Sequence, residues 1–203
     1  MWYHENKAFT KEQINKIGNT IIYLANSVRD LNKTKILKFL FLIEEAAIKK
    51  TGKPFFGIDF QLWKFGPVVK DIYIDLTSSV PDESPNLLKD FIARDPQTPE
   101  NYIAIAPFSD DEFSDHDLQL LDLVIGFGKD KPANYLVKHT HGANSLWRKS
   151  AIKYGVLELL ENELVNSTDH TIDFGLLFDE HSPLQKRYEE SKENLEFNRQ
   201  LKR

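Results

Sequence analysis

Few residues in this sequence have the types and spacing to do chemistry. His139 and His141 offer two imidazoles two positions apart, with His116 or a nearby acid as a third ligand for a divalent metal. On a helix, residues i and i+2 point to different sides. The spacing therefore predicts one packed and one solvated histidine rather than a metal centre. Ser114-Asp115-His116 has the residue types of a nucleophile with its base, but adjacent side chains cannot converge as a triad. With Asp117 it reads as a capping box whose acids sit in a first helical turn. Gly126-Phe127-Gly128 is too short for a phosphate loop and lacks the strand–helix order around it. Glu44-Glu45 falls inside an apolar helical run, which predicts a buried, paired carboxylate. No catalytic residue, metal or cofactor is expected.

Composition narrows the classes further. The chain has 203 residues, 41% hydrophobic and 28% charged, ordinary values for a soluble protein with one good-sized core or two small lobes. It has no apolar run long enough to span a membrane. The N-terminus Met-Trp-Tyr-His-Glu-Asn-Lys lacks the apolar segment of a signal peptide. Cysteine is absent, which excludes disulfides and Cys-type zinc sites and points to the cytoplasm. The net charge of −5 is uneven: residues 81–122 carry 11 acids against 2 bases. Such a segment repels phosphate, so nucleic acid is an unlikely partner. Lys33, Lys35, Lys38, Lys49, Lys50 and Lys53 are the alternative, as a local basic face or the solvated side of a helix.

Helical spacing of Ile14, Ile17, Ile21, Leu24 and Val28 predicts a first helix from about Lys11 to Val28. Asp30 or Asn32 caps a second, apolar nearly all round from Ile36 to Ile48 and stopped by Gly52 and Pro54, hence central. Ile58, Phe60 and Leu62 alternate with polar residues, the period of a strand running to Phe65. Gly66 then suits a helix cap and Pro67 the first turn of a helix to about Ser79. Strands near Leu87–Ala93 and Tyr102–Ala106 would complete one small antiparallel sheet with 58–65. Helices follow from Ser114 to Gly126/Gly128, from Ala133 to His141 and near Val156–Leu164, then a strand near Thr171–Leu177. A charged, peripheral helix runs from Ser182 to about Lys202. The fold class is α+β, mainly α: a helical domain with a small antiparallel β-sheet.

The corner from Phe60 to Tyr73 organises the chain, and it carries a resemblance. Thr34-Lys35-Ile36-Leu37-Lys38-Phe39-Leu40-Phe41, Thr51-Gly52-Lys53-Pro54 and Leu62-Trp63-Lys64-Phe65-Gly66-Pro67-Val68 through Tyr73 resemble the Panacea, or SocA-like antitoxin, domain. Leu136, Thr140-His141 and Trp147 resemble the markers of its second half. Leu37 and Phe41 depart from the Gln and Tyr common in relatives. The match spans about residues 10–155, leaving 156–203 as a C-terminal extension ending in the charged helix. The resemblance implies a non-enzymatic antitoxin of a bacterial or phage toxin–antitoxin pair. It would bind a cognate toxin encoded beside it; the alternatives are a nucleic-acid-binding regulator or an adaptor delivering a toxin to a protease. A binder needs an anchored surface rather than a catalytic site. Trp63, Lys64, Phe65 and Tyr73 at the corner, with His141 and Trp147, are the expected partner-binding residues.

Overall fold

The structure is a computed structural model and describes residues 9–77 and 86–201. Helix α1 (Lys11–Ser27) starts on a capping box: Thr10 Oγ1 accepts from Gln13 N–H, and the Gln13 side chain accepts from Thr10 N–H. Helix α2 (Lys33–Thr51) is capped by Asn32, not Asp30, and ends at Gly52 with φ +70°. It is the centre of the molecule. Ile36, Phe39, Leu40 and Ile43 are completely buried, and α2 packs against α1 and against half of the elements that follow it. Each such side chain removed from water contributes about 1.5–3 kcal/mol.

Where a strand, a cap and a helix start were expected, the chain makes a hairpin. Strand β1 (Gln61–Trp63) pairs antiparallel with β2 (Gly66–Val68), Trp63 opposite Gly66. Lys64 and Phe65 form the turn. Gly66 has φ +103°, the left-handed conformation glycine supplies after a tight hairpin turn. Pro67 is therefore a strand residue, on the edge of the sheet where its missing N–H breaks no ladder. Helix α3 (Lys70–Thr77) begins beyond it, and the expected end at Ser79 lies outside the described residues.

The expected single sheet is instead two. Strands β3 (Ile92–Arg94) and β4 (Tyr102–Ala104) form their own hairpin, packed on α1. The third strand beside β1 comes from far along the chain: β5 (Ser167–Thr171), in the order β2-β1-β5. Its pairing is bulged, Trp63 facing Ser167 and Gln61 facing Thr171. Within the bulge, Thr168 Oγ1 donates to Leu62 O at 2.9 Å. The predicted strand at 171–177 is a 3₁₀ turn over Phe174–Leu177, packing Phe174 on Phe41 and Phe60.

The remaining helices are α4 (Asp115–Gly128), α5 (Ala133–His141), α6 (Leu146–Lys153), α7 (Leu157–Glu161) and α8 (Pro183–Leu201). The capping box before α4 is present: Ser114 Oγ accepts from Asp117 N–H, and Asp117 Oδ2 from Ser114 N–H. Gly126 lies inside α4, and Gly128 is its last residue. Helix α8 is charged and mostly exposed, but it packs against α2 and the 3₁₀ turn. Its Leu195 lies against Gly57.

Candidate partner-binding corner

The β1–β2 hairpin is held from behind by side chains of three helices. Trp147 Nε1 on α6 donates to Trp63 O at 3.0 Å. His141 Nε2 on α5 lies 2.9 Å from Lys64 O. Lys38 Nζ on α2 donates to Pro67 O at 3.2 Å. These carbonyls lie in and beside the turn, and each accepts a side-chain donor from a different helix. The turn is closed on the β5 side by Lys64 N–H donating to Asn166 O at 3.0 Å.

Gly66 is required here for space as well as for conformation. A Cβ at this position would come within 2.7 Å of Lys38 Nζ and 3.1 Å of His141 Cε1. The bare glycine lets the corner settle onto the lysine and the imidazole. The His141 and Trp147 rings pack at a tilt with centroids 4.2 Å apart, so each donor limits the movement of the other.

Electrostatics at the corner follow from burial. Lys38 is 2% exposed, and desolvation pulls its ammonium down to about 7. His141 has Val137 O 3.1 Å from Nδ1 as well as Lys64 O at Nε2. Only the imidazolium donates to both. Burial nevertheless lowers its pKa, the two carbonyls acting in the opposite direction and the Lys38 charge adding to the lowering.

The six residues expected to bind a partner gather in this one region, at different depths. Trp147 is buried, and His141 is half-buried beside it. Trp63 is half-buried; its Nε1 donates to Gln61 Oε1, and its ring meets Tyr73 edge-on at 4.9 Å. Tyr73 in turn lies under Lys33 Nζ at 4.4 Å. Lys64 pairs with Glu163 at 3.0 Å and arches over the Phe65 ring at 4.8 Å. Phe65 itself is 66% exposed at the tip of the turn. Leu164, next to Glu163, is 70% exposed. Sequence reasoning missed Leu164, which no motif marks, and placed Lys38 on a solvated face. The signal for Lys38 was its position inside the otherwise apolar run of residues 36–43.

Other candidates take structural places. His139 packs instead at a tilt against the Phe127 ring, centroids 4.8 Å apart. Glu44 is 1% exposed and has backbone partners: its carboxylate accepts from the N–H groups of Phe55, Phe56 and Gly57 at 2.9, 2.7 and 3.2 Å. Lys35 and Lys38 are both buried, so the lysines of α2 form no continuous basic face.

A protein-family model described as antitoxin SocA-like, Panacea domain, matches residues 36–148, more than half of the chain. No curated protein and no solved structure matches it. The matched span contains α2 from Ile36 onward, the hairpin, α5 and the start of α6, and so all three donors and the carbonyls they hold.

Proposed function

The chain belongs to the antitoxin SocA-like, Panacea domain family, and on that premise we propose that it neutralises a cognate toxin by direct protein–protein binding through the hairpin corner. The toxin is a protein encoded beside it, the encounter is cytoplasmic, and no catalysis is involved. Residues 10–155 form the recognition unit, and 156–203 an extension that supports it.

One observation carries this reading. Phe65 is a large aromatic side chain held in water at the tip of a turn whose flanking carbonyls are fastened to three helices. Rigid aromatic anchors are what interface hot spots are made of, because little side-chain freedom is lost on docking. Lys64 lies over the anchor's ring and pairs with Glu163, whose neighbour Leu164 is also exposed, and Trp63 packs on Tyr73 at the base of the hairpin. His141 and Trp147 act through the backbone they hold.

Co-expression with the product of the adjacent gene tests the proposal. Phe65→Ala should leave the melting temperature close to wild type, as an exposed substitution does. It should weaken toxin binding by about 30-fold or more, the scale of a hot spot. Undiminished binding and growth rescue by Phe65→Ala would place the interface elsewhere.

A further inference from the structure

Helix α4 has an outward face that the described residues leave uncovered. Leu123 is 63% and Phe127 41% exposed, one helical turn apart. The Phe127 ring meets Tyr135 at 5.9 Å and His139 at 4.8 Å, which carries the face onto α5. Single exposed apolar residues are common. Gly126 sets this face apart. Glycine inside a helix costs about 1 kcal/mol relative to alanine, and a Cβ at Gly126 would meet nothing within 4 Å. Gly128 differs: its Cβ would strike Phe39 at 2.9 Å and Leu136 at 3.0 Å. Packing within the chain explains Gly128 and does not explain Gly126.

The face carries a ridge, Leu123 with Phe127, and beside it the notch left by Gly126. A surface holding both is complementary to itself: about a two-fold axis, each ridge enters the other copy's notch. The charges favour an antiparallel crossing. Exposed Asp110, Asp111 and Asp115 surround the start of α4, and exposed Lys129 and Lys131, with Asp130 between them, follow its end and leave it net positive. Antiparallel helices set each acidic end against the other copy's basic end and oppose the two macrodipoles.

We propose that a second copy of this chain docks on α4, the two helices crossing antiparallel at Leu123 and Gly126 with Tyr135 and His139 at the rim. The contact is small, and its affinity falls in the micromolar range of weak interfaces. It lies on different residues from the Phe65 corner and does not depend on the toxin reading.

Sedimentation equilibrium of the whole chain from about 1 to about 300 µM reads the association. Leu123→Glu sets two carboxylates together at the axis, and Gly126→Leu fills the notch with a better helix former. Each should weaken dimerisation at least tenfold with the circular dichroism spectrum retained. Leu159→Glu, exposed on α7, should leave it unchanged. The chain has no cysteine, so Leu123→Cys should give one disulfide-linked dimer on mild oxidation. A wild-type chain monomeric throughout the range overturns the proposal, as does a dimer indifferent to both α4 substitutions. If both variants unfold, absence of the Leu123→Cys cross-link overturns it instead. A chain monomeric up to about 300 µM that still binds its toxin would refute the dimer and leave the Phe65 reading standing.

Discussion

Lys38 and Glu44 are a buried base and a buried acid on the same helix, and burial moves both towards neutrality. The lysine falls to about 7 and the carboxyl rises to about 7, against three backbone N–H groups that favour its charged form. Their effects on stability have opposite signs. Lys38, depressed in the fold, contributes stability that is present above its ordinary value near 10.5 and is lost as pH falls through about 7. Glu44, raised in the fold, contributes stability that is present below its ordinary value near 4.5 and is lost as pH rises through about 7. The two together favour the fold least near neutral pH. Lys38→Met should abolish the rise in stability between about pH 7 and pH 10; urea unfolding across that range measures it, and an unchanged alkaline limb would show that Lys38 does not titrate there. Glu44→Gln replaces one acceptor oxygen with an NH₂ group facing backbone donors. It should cost about 1–3 kcal/mol, read as a lower urea midpoint at constant slope.

At the scale of elements, α2 was fully legible and the sheet was not. A helix apolar nearly all round has nowhere to go but the middle, and its cap and glycine stop are local chemistry. Leu40→Ala should cost about 2–5 kcal/mol through the cavity it leaves, and a nearly unchanged melting temperature would remove α2 from the centre. Pairing of β5 with β1 was illegible. Ser167-Thr168-Asp169-His170-Thr171 has no alternating apolar face, and its partner lies about a hundred residues earlier. The Gly66-Pro67 pair was misread because a helix entry and a hairpin exit use the same two residues. What decides between them is tertiary: Lys38 and His141 leave no room for a Cβ at Gly66. Gly66→Ala should therefore lower stability by more than about 1 kcal/mol, where a compatible glycine replacement would raise it, and partner binding should fall with it. Full stability in this variant would mean that the corner can open.

For the whole molecule, the family match covers the donors and the turn but stops short of the strand that closes the sheet. Residues 166–172 tie β1 down through Lys64, Leu62 and Phe60. A chain ending at residue 155 should therefore lose the ordered hairpin, whereas one ending at residue 179 should keep it. Trp63 and Trp147 fluorescence with limited proteolysis distinguishes the two. A protease-resistant fragment 1–155 with native emission would show that β5 is dispensable. The motif residues of the corner were legible from their types; their convergence was not, because the donors stand on three separate helices between Lys38 and Trp147.

The groups fastened behind the hairpin are main-chain carbonyls, and a carbonyl is the same whatever side chain stands beside it. Lys64 and Phe65 can be exchanged for other residues without changing what Trp147, His141 and Lys38 hold. The tip is thus a two-residue cassette on an indifferent mount. A library randomised at those two positions should give a population of folded chains differing in what they bind, a starting point for redirecting the protein to a target of choice.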